Sequence, residues 1–336
     1  MKRFFTILGV ALFLASTGAF AEQQTLIDFS KLTADPTTGQ HAPTVIDYSQ
    51  NAGSSYSAED KAQMKISLAI PNWEVELASS SQTVDNQTKS VVKAAVVKAD
   101  ASKYAGQTVL GVRIHFPEFA INSFAVIKPP FTIPAFATLA SDQNAKVGAQ
   151  FDGFGILKNV GVLKSIQVNV LGRNFNHSLS LLLENESGDT QEIFMGYLNF
   201  DGWKSLTWSN PNYQTEVRNR DIKVLPLYPH AAPFIKLKGI LIHRDGYAEG
   251  GDVVTYIKDI NVIYDQAVLD KGTEVDDEAL WGILKDQESA KRNSELKRLG
   301  DLQVLRALEK KKMATQKSFD EAAPAAAPAA APATKP

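Results

Sequence analysis

The sequence predicts a mainly β protein: a β-sandwich, then a charged helical extension, then a low-complexity tail. Three observations carry that prediction. Between Phe154 and Trp208 apolar residues alternate with polar ones in short runs, and each run stops at a Gly, Asn or Asp cluster. Such runs build antiparallel strands with one buried face and one wet face. No amphipathic helices are interleaved with the runs, which favours a sandwich over a parallel α/β sheet. Beyond about Lys271 the apolar spacing becomes helical and the composition charged. The expected units are residues 1–21, 22–270, 271–320 and 321–336.

Residues 1–21 read as an export signal. Lys2 and Arg3 form a basic start. Phe4 to Leu14 is apolar but too short to span a bilayer of ~30 Å at 1.5 Å per residue. Ala19-Phe20-Ala21 places small residues at a cleavage position. A cleaved Sec signal peptide is expected, cut between Ala21 and Glu22. The Cys count is 0, so a lipid anchor has no acceptor and disulfides play no part. A mature chain of roughly 300 residues buries a core without such staples. Loss of Lys2 and Arg3 makes the formal charge of −2 more negative by two. That mild acidity gives no electrostatic footprint for nucleic acid or anionic membranes. No later segment is apolar enough for a transmembrane helix.

The mature chain opens with a short apolar strand around Leu26, Ile27 and Phe29. A polar loop follows through Asp60, then strands at Met64–Ile70 and Trp73–Ser79. In the second, Trp73, Val75 and Leu77 share one face and Glu74 and Glu76 the other, a period of two. Ser90–Asp100 fits either strand or helix. Val109–Pro117 is a strand with Leu110, Val112, Ile114 and Phe116 on one face.

Phe119–Phe136 carries Pro129, Pro130 and Pro134, which remove backbone donors and argue against a central strand beyond Val126. Phe131, Ile133 and Phe136 then lie in a loop or an edge. Either the loop folds over an open end of the sandwich, or it presents these side chains as partner contacts. Downstream, Ile166, Val168 and Val170 face one way, as do Leu179, Leu181 and Leu183, and Ser187-Gly188-Asp189 makes a turn. Trp203 and Trp208 frame Leu206. In the last strand Ile257, Ile260, Val262 and Tyr264 are the apolar positions.

The charged region places Leu280, Ile283, Leu284, Leu296, Leu299, Leu302, Leu305 and Leu308 at helical spacings. Asp276, Asp277 and Glu278 stand near its start and Lys310, Lys311 and Lys312 near its end, a polarity that suits the helix macrodipole. Gly300 is expected to split it, since a mid-helix Gly costs ~1 kcal/mol against Ala. The helix either packs back on the sandwich or docks on another subunit, with Leu280 and Leu284 as contacts. The tail EAAPAAAPAAAPATKP cannot bury apolar area and reads as a disordered spacer.

A search for chemistry is mostly negative. His41, His115, His177, His230 and His243 are dispersed, so no zinc spacing exists. There is no G-x-S-x-G, and Gly153, Gly155 and Gly161 are followed by strands rather than by a phosphate-cradling helix. Carboxylates such as Glu184 and Glu186 read as solvated strand residues rather than a glycosidase pair. Asp28 on the first strand and Asp259 on a late one are the candidates for a structural calcium ion. No other cofactor is expected. Asn176-His177-Ser178 and Asn185-Glu186-Ser187 are chance glycosylation matches beside a bacterial-looking signal.

Three segments carry a resemblance: FDGFGILKNVGVLKSIQVNVLGRNF, LNFDGWKSLTWSNPNY and VVTYIKDINVIYD. Their specific parts are Lys158–Gly161, Gly172-Arg173-Asn174 and Gly202-Trp203-Lys204. The chain resembles the spirochaetal periplasmic flagellar filament outer-layer (sheath) proteins of the FlaA class, over about Ala19 to Tyr264. The resemblance implies a jelly-roll sandwich of the galactose-binding kind and no catalytic residues. It implies a periplasmic subunit that coats a flagellin core, contacts copies of itself, and affects filament stiffness, shape and motility. The alternative is a periplasmic carbohydrate-binding module, with Trp73, Trp203 and Trp208 as platforms for sugar rings. A hydrolase assembled from distant residues ranks last.

Overall fold

The computed structural model describes residues 22–33, 35, 42–138, 150–222, 231–267 and 275–322. Ala21, the junction around Lys271 and residues 323–336 of the Ala/Pro tail lie outside them. In chain order the strands are β1 (Glu22–Asp28), β2 (Ile46–Asp47), β3 (Lys65–Ile66), β4 (Glu74–Leu77), β5 (Val91–Val96), β6 (Thr108–Phe116) and β7 (Ser123–Lys128). They continue with β8 (Ile156–Lys158), β9 (Val160–Arg173), β10 (His177–Asn185), β11 (Thr190–Tyr197), β12 (Asp201–Ser209), β13 (Phe234–Arg244) and β14 (Gly251–Gln266). The helices are α1 (Ala58–Ala62), α2 (Val84–Lys89), α3 (Tyr213–Ile222), α4 (Asp277–Trp281) and α5 (Ile283–Ala322).

Two six-stranded antiparallel sheets face each other. The first runs β12-β9-β14-β6-β5 with β1 added on β14; the second runs β11-β10-β13-β7-β4 with β8 added on β13. The chain crosses repeatedly between the layers, the wrapping path of a jelly roll. β2 and β3 form a separate small ladder.

The alternating residues explain why the layers close. Leu110, Ile114 and Phe116 of β6, Ile166, Val168 and Val170 of β9, and Leu179, Leu181 and Leu183 of β10 are all buried in one core. Each such side chain contributes about 1.5–3 kcal/mol through burial. In β14 the apolar positions step from Ile257 to Ile260, three residues rather than two. A bulge between Ile257 and Asp259 absorbs the extra residue and keeps both side chains inside.

That bulge also corrects the calcium expectation. Asp28 and Asp259 are paired across β1 and β14, as the placement required. The cation between them is Lys258: its Nζ lies 3.2 Å from Asp28 Oδ1 and 2.8 Å from Asp259 Oδ2. An ammonium occupies the position where a metal ion would have to sit.

Within Ser90–Asp100, Val91–Val96 resolves as a strand. Thr83 caps α2 by accepting the Asn86 N–H at 3.1 Å, and β5 follows at the sheet edge. α2 and α3 are short helices that the alternating pattern did not mark. Tyr213 of α3 donates its hydroxyl to Asp265 Oδ2 at 2.9 Å, tying α3 to the end of β14.

α5 is one continuous 40-residue helix, so Gly300 does not split it. A Cβ at Gly300 would stand 2.3 Å from Asn51 Cγ. The glycine is there to let the helix approach the turn at Asn51. The break falls instead at Gly282, whose φ of 62° ends α4 in the left-handed conformation open to glycine.

Candidate interaction surface

The Pro-flanked loop is held between the sandwich and α5. Phe131 is 4 % exposed, Ile133 1 % and Phe136 6 %. Of the two alternatives for these side chains, their burial fits a loop folded over the open end of the sandwich rather than partner contacts. Prolines deny the loop strand pairing, so its apolar side chains insert into the open end of the sandwich. Phe131 meets Phe151 edge-on at 5.9 Å and Phe136 meets Phe234 at 5.8 Å. Lys158 and Lys291 place their ammonium groups 5.1 and 5.3 Å from the Phe136 ring centre.

α5 supplies the hydrogen bonds the loop backbone lacks. Gln303 Nε2 and Arg306 Nη1 donate to the Pro130 carbonyl at 3.3 and 2.7 Å. The Phe136 N–H donates to Glu295 Oε2 at 3.1 Å. Asn51 Nδ2 donates to the Lys297 carbonyl and to Asp301 Oδ1 at 3.2 and 3.1 Å. Leu299 is buried beneath the helix. Burial pushes the Glu288 carboxyl up and the Lys158 ammonium down, because both stand partly desolvated under the helix. The middle of α5 therefore packs back on its own sandwich.

The ends of the helical region are different. Leu280 and Trp281 are each 66 % exposed, Ile283 is exposed and Leu284 half-buried. Leu302, Leu305 and Met313 are exposed further along.

A second surface escaped the sequence reading. On the outer face of the second sheet, Tyr197, Ser178, His243 and Phe124 stand side by side across β11, β10, β13 and β7. Phe194 and Ser180 are opposite each other in the adjoining row. Phe194 is 51 % exposed and Tyr197 45 %, with their rings edge-on at 5.5 Å. Phe124 lies 5.8 Å from the His243 ring, and His243 Nε2 is 2.9 Å from Glu192 Oε1. Phe119 and Tyr247 are exposed as well. The signal was Met195-Gly196: a bulge between Leu179 and Ser180 lets Phe194 and Tyr197 both face outward although three residues apart.

The tryptophans divide. Trp73 is buried and donates its indole N–H to the Leu68 carbonyl at 2.9 Å, which corrects its assignment as a sugar platform. Trp203 and Trp208 are half-buried on β12, and Trp203 meets Tyr104 edge-on at 4.8 Å. Glu22 is the first residue of β1 and pairs with Tyr264. Among the described residues there is no group of three or more His, Cys, Asp or Glu placed to hold a metal, and no helix is long and apolar enough to cross a membrane.

Comparison with known proteins gives a consistent picture. The family model described as flagellar filament outer layer protein matches residues 37–273. A flagellar filament outer layer protein of Spirochaeta aurantia is 72% identical over 97% of this chain and 97% of its own length. That of Treponema pallidum is 40% identical, covering 95% of this chain and 96% of its own. That of Borreliella burgdorferi is 32% identical, covering 83% and 82%. Among solved structures, a family 11 carbohydrate-binding module of a Clostridium thermocellum cellulase overlaps 57% of this chain and 88% of its own at 10% identity, with a TM-score of 0.25. A xylan-binding domain overlaps 61% and 90% at 12% identity, with a TM-score of 0.22. Overlaps at that level assign no function. With a family model over most of its length and relatives at 32% to 72% identity, the chain belongs to the flagellar filament outer layer protein family.

Proposed function

We propose that this chain is a periplasmic sheath subunit that coats the flagellin core of the flagellar filament. The leader directs Sec export and is removed between Ala21 and Glu22. The exposed aromatic face of the second sheet, centred on Phe124, Phe194 and Tyr197, is the surface that meets the core. The observation that carries this reading is that face, in a member of an outer-layer family. Aromatic side chains bring large contact area at low entropic cost, and an exposed cluster of this kind on a sheet face is an interface signature. Coating adds contacts along the core and so contributes to filament stiffness, shape and motility.

Co-sedimentation with filament cores stripped of their outer layer tests the assignment. Phe124→Ser and Phe194→Ser together should weaken co-sedimentation while leaving the fold intact. Undiminished binding by the folded double variant would exclude the aromatic face.

The carbohydrate-binding alternative retains one observation: Trp203 is half-exposed on the outer face of the first sheet, in a strand whose Ser205 bonds Asn169. That reading requires saturable glycan binding that Trp203→Ala abolishes.

A further inference from the structure

A cleft of about 580 Å³ lies between the Pro-flanked loop, the β10–β11 hairpin, the start of β13, and α5. Its walls carry Lys128, Lys236, Lys238, Arg298 and Arg306, with Glu184 as the carboxylate among the lining residues. Lys236 and Lys238 share Glu184 at 2.7 and 3.7 Å, Lys128 pairs with Glu76, and Arg306 is 3.8 Å from Glu74. Five cations thus outnumber the three carboxylates that these contacts bring to them. Exposed Leu302 adds an apolar lip.

The opposite chemistry stands at the start of the helical region. α4 presents Leu280 and Trp281, both two-thirds exposed, beside Asp276, Asp277 and Glu278. Asp276 accepts the Ala279 N–H at 3.0 Å, and Glu278 accepts N–H groups from Leu284 and Lys285 at 3.0 and 2.9 Å, so the segment is a capped, ordered turn. It is acidic and apolar where the cleft is basic and apolar. The volume is in the range of sites that accept side-chain-sized ligands.

We propose that α4 of one copy, led by Leu280 and Trp281, docks in the basic cleft beside Leu302 of a second copy. The same copy cannot satisfy both. Leu280 and Leu302 are separated by about 30 Å of helix at 1.5 Å per residue. Residues 277–282, even fully extended, reach about 20 Å. The contact is therefore heterologous: each copy offers one head and one tail, and the chain of contacts need not close. The inference deepens the sheath reading, on which it rests for its setting, by naming how neighbouring subunits join.

Sedimentation velocity on the mature full-length chain tests it. A head variant carries Asp277→Lys and Leu280→Ser; a tail variant carries Arg298→Glu and Leu302→Ser. Wild type should form concentration-dependent oligomers, and each variant alone should associate about tenfold more weakly or worse. Mixed one to one, the variants should form a dimer and stop, because one sound head meets one sound tail. Variants that associate like wild type, a mixture that stays monomeric, or a wild type monomeric at every concentration would each overturn the proposal. If either variant misfolds by circular dichroism, Asp277→Asn and Arg298→Gln replace them, with weaker association expected from both and overturning if neither differs. Binding of the head variant to stripped cores is measured separately. Loss of self-association with core binding retained supports the joint, whereas wild type failing to bind cores would count against the sheath reading and leave the joint standing.

Discussion

His177 makes the fold sensitive to acid, and the size of the effect follows from its surroundings. The side chain is 3 % exposed at the start of β10, and neither ring nitrogen has a hydrogen-bond partner. Its ring stacks on Phe116 at 5.4 Å, with Phe175 edge-on at 6.2 Å. Burial, reinforced by the Arg244 guanidinium and opposed by Asp245, lowers the pKa to about 4. The unfolded chain binds the same proton near 6.5. As pH falls below about 6.5 the unfolded state gains a proton that the folded state refuses, so stability drops until about pH 4 and then levels. A shift of that size is worth about 3 kcal/mol, most of it lost by pH 4.5. His177→Phe keeps an aromatic ring against Phe116 and sacrifices no hydrogen bond. Urea unfolding of both proteins at pH 7.5 and 4.5 measures the difference, and other carboxylates cancel in the comparison. Wild type should lose about 2–3 kcal/mol more than the variant. Equal losses would refute the claim that His177 is held neutral in the core.

Three further outcomes are expected. Lys258→Met leaves the Asp28 and Asp259 carboxylates facing each other across β1 and β14, and should cost about 2–4 kcal/mol in thermal or urea unfolding. Gly300→Ala gains ~1 kcal/mol of helix propensity but displaces Asn51 and its two hydrogen bonds, worth about 1 kcal/mol each. The α5 amides should then exchange hydrogen faster rather than slower, and slower exchange would mean that the helix does not rest on Asn51. Leu280→Ser, at an exposed site, should leave unfolding stability within about 0.5 kcal/mol of wild type.

Much of the fold was legible because its strands obey one rule. Where one face is buried, as at Trp73–Leu77, Leu110–Phe116 and Ile166–Val170, alternation alone located strand and core face. The departures have physical causes. Bulges change the phase of alternation, and the one at Met195-Gly196 turned two aromatics outward where a strict period of two would have put one inside. Gly300 carries a propensity cost that local reasoning counts but a tertiary approach to Asn51 that it cannot see. Phe131, Ile133 and Phe136 are apolar in a stretch that cannot be a strand, and sequence does not say whether such side chains point in or out. The lid formed by α5 decides it. The Asp28–Asp259 pairing was correctly placed, yet the residue between them in space, Lys258, was read only as a strand position.

Electron microscopy of native flagellar filaments, from cells with and without this chain, tests the sheath assignment most directly. Filaments containing it should be thicker, with an outer layer that disappears on deletion and returns on complementation. Equal filament diameters in the two strains would contradict it.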